Sequence, residues 1–273
     1  MKKNILWLLI VLVAFVISGC FLFPFNESGS MSVLLTDAVA NIDDLERLDV
    51  QIDAVVLKTD DATLVVTDES TVVNILELVG DEITLATVDG TGVYDQLRFY
   101  VDPNATATIR GKEYHIEMSS NSFKYNFKEP LVFSKDATLV LDFDLSKSLK
   151  VQGRWDPENV GKLHMTPVIN MRHGELYDVE GVVTPHATPM LVALFTESDD
   201  DDEVLTTFTH RENPKWENGE FRFPKVKAGD YILKVYNDYY TDDASEFDIE
   251  DLTPVATRSI TVPVGYIEID LSK

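Results

Sequence analysis

The chain is poor in cysteine: Cys20 is the only one among 273 residues. No disulfide can form within one chain, so any domain must stand on its core alone. Positive charge is scarce too. Lys and Arg number 23 against 47 Asp and Glu, a formal net charge of −24. No basic face offsets that imbalance, which argues against nucleic acid as a partner, and an anionic membrane surface repels such a chain. Amphipathic helices are nearly missing. Beyond Met31 only Glu69 to Val79 suits one, with Val72, Val73, Ile75, Leu76, Leu78 and Val79 apolar. That stretch is short and β-branched, so a buried strand fits it equally well. Catalytic signatures are absent as well. His115, His164, His173, His186 and His210 form no His-x-x-x-His or Glu-flanked metal motif. There is no Gly-x-Ser-x-Gly elbow and no phosphate-cradling glycine loop. The expectation is a non-enzyme with no cofactor; the alternative hydrolase needs a site assembled only in three dimensions.

One long apolar run is present, and it opens the chain. Lys2 and Lys3 precede thirteen apolar residues from Ile5 to Ile17, and Ser18, Gly19 and Cys20 follow. This is the layout of a secretory signal. The run is short for a membrane-crossing helix, which needs about 20 residues. A transmembrane anchor, or a signal cut elsewhere with Cys20 left as a thiol, are the competing readings. Ile17-Ser18-Gly19-Cys20 resembles a bacterial lipobox. The resemblance implies peptidase recognition through Ile17, Ser18 and Gly19, cleavage after Gly19, and acyl chains on Cys20. Removing residues 1–19 takes away two lysines and no acids, leaving 47 acids against 21 bases, or −26. The acyl chains, not protein charge, then hold the chain to its membrane. Phe21, Leu22, Phe23 and Phe25 suit the lipid interface, and Asn26 to Ser30 read as a short tether.

From Met31 onward the pattern is period two. Leu48, Val50, Ile52, Ala54 and Val56 alternate with Asp49, Gln51, Asp53 and Val55; Leu97, Phe99 and Val101 alternate with Arg98 and Tyr100; Leu139, Leu141, Phe143 and Leu145 alternate with Val140, Asp142 and Asp144. Such strands are half-buried and antiparallel. Thr59-Asp60-Asp61, Asp89-Gly90-Thr91-Gly92, Asp102-Pro103-Asn104 and Arg110-Gly111-Lys112 mark turns between them. Met171-Arg172-His173-Gly174 reads as a boundary. Beyond it, strands are expected at Tyr177–Val183, Leu191–Phe195, Val204–Thr209, Glu220–Phe223, Tyr231–Tyr236, Ala256–Val262 and Tyr266–Leu271. The expected fold is all-β: two tandem antiparallel β-sandwiches, 31–173 and 174–273, after a signal at 1–19 and a lipidated tether at 20–30.

Five pieces in order identify the first sandwich: Val33-Leu34-Leu35-Thr36-Asp37-Ala38, Val72 to Leu78, Gly92 to Phe99, Leu139 to Asp144, and Met165-Thr166-Pro167-Val168-Ile169. Together they resemble the domain-of-unknown-function 4382 family of bacterial lipoproteins and secreted proteins. That resemblance implies a β-sandwich and no known activity. In the second half, Val179-Glu180-Gly181-Val182-Val183, Gly219 to Phe223 and Ala228-Gly229-Asp230-Tyr231 to Val235 resemble the carboxypeptidase-regulatory, or prealbumin-like, sandwich repeats of surface proteins. In Gly229-Asp230-Tyr231 the glycine permits the turn, while the tyrosine buries its ring and bonds back with its hydroxyl. Gly92-Val93-Tyr94 repeats this layout.

Candidate ligand groups are few. Asp199, Asp200, Asp201 and Asp202, with Asp242 and Asp243, are the only acidic loops rich enough to offer a calcium ion its six to eight oxygens. They match no calcium-loop template, and solvated loops are the plainer reading. Asp142 and Asp144 share one strand face, read as outward. Asp37 and Asp102 sit where Asp caps backbone N–H groups. Trp155, Trp216, Tyr239 and Tyr240 are the aromatic candidates for a glycan platform. The expected role is a lipid-anchored, non-enzymatic envelope protein on the outer face of a membrane, periplasmic or surface, that serves adhesion, scaffolding or ligand capture. Expected partners are the membrane through the acyl chains and an envelope protein or glycan. The alternative is a carbohydrate- or calcium-binding accessory module.

Overall fold

The computed structural model describes residues 29–38, 45–133, 135–152, 161–185, 189–196, 204–210, 216–237, 249 and 252–272. The first part of the chain runs β1 (Gly29–Ala38), β2 (Leu45–Lys58), β3 (Thr63–Thr67), β4 (Thr71–Asn74) and a 3-10 turn (Ile75–Leu78). It continues through β5 (Ile83–Gly90), β6 (Gly92–Val101), β7 (Asn104–Ile109), β8 (Lys112–Met118), β9 (Ser122–Phe133) and β10 (Ala137–Asp144). A one-turn helix α1 (Leu145–Ser148), β11 (Leu149–Gln152), β12 (Lys162–Met165) and β13 (Ile169–His173) complete it. The second part runs β14 (Leu176–Thr184), β15 (Leu191–Thr196), β16 (Val204–Phe208), β17 (Glu220–Lys227), β18 (Gly229–Tyr236), β19 (Ala256–Val262) and β20 (Ile267–Asp270). The fold is all-β.

Four sheets result. A four-stranded sheet, β13-β10-β1-β5, faces a nine-stranded sheet, β11-β12-β8-β7-β2-β6-β9, with β3 and β4 also paired to β2. Between them lies one core that includes Val33, Leu35, Leu139, Leu141 and Phe143 from the first sheet and Val50, Ile52, Leu97 and Phe99 from the second. The second part pairs β17-β14-β20 with β16-β15-β18-β19 around Val179, Val192, Leu194, Phe221, Phe223, Leu233 and Ile260. The connection from β13 to β14 is two residues, and Gly174 takes φ +100° there.

The structure amends several expectations. Most ladders are antiparallel, but β1–β10, β8–β12 and β14–β20 are parallel, so three of the sheets are mixed and β16-β15-β18-β19 alone is wholly antiparallel. The first strand begins at Gly29, inside the expected tether. In β2 the alternation does not run through: the register shifts between Ile52 and Ala54, and Val55 and Leu57 become the core residues while Ala54 and Val56 are half-buried. An inserted residue reverses the facing of everything after it. Glu69 to Val79 is neither one helix nor one strand. β4 pairs with β2, and Ile75 and Leu78 then anchor the 3-10 turn in the core. Leu145 is not a strand residue; it opens α1, whose N-cap Asp144 accepts from the Lys147 N–H at 3.1 Å.

The glycine–tyrosine layout recurs in both parts. Tyr231 is buried and donates its hydroxyl to the Lys227 carbonyl at 3.1 Å; Tyr94 donates to the Thr91 carbonyl at 3.2 Å. A Cβ on Gly92 would lie 2.7 Å from the Tyr94 hydroxyl, so only glycine admits that ring. Burial raises the Tyr94 pKa.

Candidate functional site

The sheets expose their functional chemistry on faces turned away from the cores. Strand alternation places Met171 in the first core and its neighbour Arg172 on the opposite face. There Arg172 is 2% exposed. It donates from Nη1 to Asp142 Oδ2 at 2.5 Å, and it reaches the second sheet pair through Nε to the Lys225 carbonyl (3.1 Å) and Nη2 to the Pro224 carbonyl (3.4 Å). Val140 and Leu34, on the same face, are also buried. Asp142 and Asp144 therefore point away from the core as their alternation implies, but they are 4% and 3% exposed. The outward face is buried rather than solvated.

A second arginine answers from the other side. Phe221 and Phe223 fill the second core, which turns Arg222 outward toward the first sheet pair. Its guanidinium takes both Glu82 oxygens (2.7 and 3.1 Å) and Asp178 Oδ2 (2.7 Å). Asp81 and Glu180 stand at 3.6 and 3.4 Å. Forked Arg–carboxylate pairs fix orientation as well as adding energy. Lys225 completes the cluster: Nζ lies 2.9 Å from Asp178 and 3.5 Å from Glu82, and its N–H donates to Asp178 Oδ1 at 3.1 Å. Its φ of +56° is a costly conformation for a residue with a side chain. That conformation is held by the same contacts, with the Lys225 carbonyl taking Arg172. Burial alone would push the Asp178 carboxyl up. Hydrogen bonds from Arg222 and Lys225 outweigh it and lower the pKa to about 2. For Arg222, burial lowers the pKa, and the bonds to Glu82 and Asp178 more than reverse that.

Gly80 closes the seam. It takes φ +71°, and a Cβ there would lie 2.9 Å from Thr207 Oγ1 and 3.2 Å from the Arg222 carbonyl. A side chain at this point would have to push the Thr207 hydroxyl and the Arg222 carbonyl aside, at a left-handed φ besides.

Beside the seam lies a groove of about 720 Å³. One wall is β4 and the 3-10 turn, with Val72, Leu76, Glu77 and Glu82; the other is Phe208, His210 and Trp216. The His210 and Trp216 rings stack at 5.0 Å and 7°. The His210 N–H donates to the Glu220 carbonyl at 2.7 Å, and the Gly219 N–H donates to the His210 carbonyl at 2.9 Å, which fixes the ring pair to β17. A flat aromatic wall, an apolar floor and carboxylates are a set that can hold an extended polar ligand.

The expected site residues scatter. Cys20, Ile17, Ser18 and Gly19 lie outside the described residues, as do Asp199, Asp200, Asp201, Asp202, Asp242, Asp243, Trp155, Tyr239, Tyr240 and His186. His115, His164 and His173 fall on β8, β12 and β13; burial lowers the His173 pKa, and Lys227 adds to this. Among the described residues no group of three His, Cys, Asp or Glu is placed to hold a metal ion, and no helix is long and apolar enough to cross a membrane. Asp102 accepts from the Asn104 N–H at 2.7 Å, and Asp37 from the Leu145 N–H at 3.3 Å, both backbone-capping roles. Of the aromatic candidates Trp216 reaches the groove. Arg172, Arg222, Glu82 and Asp178 carry no signal in the sequence beyond being charges next to apolar residues.

Paired sheets around two apolar cores define a β-sandwich class of protein. Within it, the model of a domain of unknown function (DUF4382) matches residues 28–167, just over half of the chain, and the chain belongs to that family. No curated protein sequence matches it. Among solved structures, the major pilin subunit BcpA of Bacillus cereus is 9% identical, with 89% of this chain and 69% of that chain covered at a TM-score of 0.23. A candidate adhesin from Bacteroides ovatus is 12% identical, with 89% and 92% covered at 0.18. Likeness at those scores supports no argument about function.

Proposed function

We propose that this is a lipid-anchored, non-enzymatic protein of the bacterial cell envelope. It holds two β-sandwiches, 31–173 and a carboxypeptidase-regulatory-like 174–273, off the outer face of a membrane for adhesion, scaffolding or ligand capture. One observation carries the reading. The only cysteine stands at the end of a signal-like run, and the first strand begins nine residues later at Gly29. Acyl chains on Cys20 hold the chain, and the arginine seam makes the two sheet pairs a stiff post rather than beads on a string. The test is cross-linking in intact cells followed by mass spectrometry. A reproducible protein partner on residues 174–273 supports scaffolding or adhesion, whereas the lack of any protein partner overturns that role.

A second reading has its own support in the Trp216–His210 wall: the groove captures a glycan, with sugar faces on Trp216 and hydroxyls on the carboxylates. An oligosaccharide that raises the Tm of the native chain and not of Trp216→Ala supports it, because binding the native state alone stabilises it. Equal shifts in both chains refute it.

A further inference from the structure

We infer that the end of the first sheet pair bearing Val93 and Val132 is seated on the lipid surface, at the boundary between headgroups and acyl chains. This rests on the proposed lipid anchor and adds which surface of the protein faces the membrane. Val93 and Val132 are partners in register across β6 and β9. They are 53% and 64% exposed, while their strand neighbours Tyr94, Leu131 and Phe133 are buried. Isolated exposed valines are ordinary; this pair adjoins the point where the chain enters. Gly29 pairs with Gly90, and the turn Gly90-Thr91-Gly92 leads directly into Val93. On the other side Gly92 pairs with Phe133, and a Cβ on Gly29 would lie 2.3 Å from the Lys135 carbonyl carbon. The Ser30 N–H donates to Asp136 at 3.0 Å.

The length of chain before Gly29 supplies the occupant. Nine residues from Cys20 span at most about 30 Å. Phe21, Leu22, Phe23 and Phe25 suit the interface themselves, which leaves Asn26, Glu27 and Ser28, about 10 Å, to reach Gly29. A surface this close to the bilayer meets lipid before it meets another protein. Exposed Lys128 and Lys135 accompany the valines; lysine stems lie along an apolar boundary with the charge in water. Asp89, Asp95, Glu129 and Asp136 are exposed around them, an acidic surround that disfavours anionic lipid, so the contact suits zwitterionic lipid.

Acylation blocks the Cys20 sulfur, so Val93→Cys, Val132→Cys and Val255→Cys each give the full chain a single thiol for an environment-sensitive fluorophore. Val255, 44% exposed, serves as the reference in the second sheet pair. The lipidated chains are placed in phosphatidylcholine vesicles containing a nitroxide-labelled phosphatidylcholine. Labels at 93 and 132 lose fluorescence roughly twofold, as groups at the headgroup–acyl boundary do, and the label at 255 does not. Chains that float with the vesicles while 93 and 132 stay bright overturn the inference and leave the anchor standing. Chains that fail to float overturn both. Quenching between labelled copies without lipid quenching also overturns it, in favour of contact between β9 edges.

Discussion

Replacing Arg172 with methionine tests the seam most sharply. The substitution keeps an aliphatic stem and deletes the guanidinium. Asp142, its side chain 5% exposed, then holds a carboxylate with no counter-charge, and the carbonyls of Pro224 and Lys225 lose their donors. Breaking one partner of a buried pair costs about 3–5 kcal/mol. Pairing Arg172→Met with Asp142→Leu removes the stranded charge, and replacing both members of such a pair is often neutral. The double variant therefore recovers about half of the loss, because the two carbonyl bonds at about 1 kcal/mol each stay lost. The assay is equilibrium urea unfolding at neutral pH, followed by tyrosine and tryptophan fluorescence and by far-ultraviolet circular dichroism. The single variant shifts the midpoint down and separates the two sheet pairs into distinct transitions. A single substitution costing under about 1 kcal/mol, or a double as damaged as the single, refutes the assignment of a buried, seam-forming ion pair.

Three further outcomes follow from the geometry. Gly80→Ala forces a Cβ into Thr207 and the Arg222 carbonyl at a left-handed φ; it costs about 1–3 kcal/mol, read as a lower Tm, and a neutral result contradicts the close approach. Asp178, with a folded pKa of about 2 against an ordinary 3.8, contributes stability that is fully present above about pH 4 and lost as pH falls through 2. With its side chain 31% exposed, solvent screening leaves about 1 kcal/mol, and Asp178→Asn flattens that part of the acid profile; an unchanged profile refutes the linkage. Tyr231→Phe and Tyr94→Phe each delete one hydroxyl bond to a turn carbonyl and cost about 0.5–1.5 kcal/mol. Chemical denaturation reads the loss, and no change at either site would show that the turns do not depend on the hydroxyl.

The strands were legible because their burial is one-sided. Leu139, Leu141 and Phe143 fall in the core as their spacing requires, and the second-half strands match their apolar runs within a few residues. What spacing does not reveal is a second burial on the opposite face. Asp142 alternates with core residues and reads as solvent-facing, and Arg172 reads as part of a boundary, yet another sheet covers both. Phe221-Arg222-Phe223 has the pattern of an ordinary half-exposed strand, and its arginine is 9% exposed. Which outer faces meet is decided by the two-residue link at Gly174 and by Gly80, neither of which leaves a periodic signal. The β2 bulge was hidden for a related reason: Ala54, Val55 and Val56 are all apolar, so the sequence shows no break where the phase reverses. The groove joins residues 71–83 to residues 208–216, two segments with no local cue for each other, and Trp216 alone stood out as a surface aromatic.

Lipid anchoring is tested most directly by the mass of the N-terminal peptide isolated from membranes of cells that make the protein. The expected product is a peptide beginning at Cys20 and carrying a diacylglyceryl thioether, absent from a Cys20→Ser chain. A peptide retaining residues 1–19, or one with a free Cys20 thiol, contradicts the anchor.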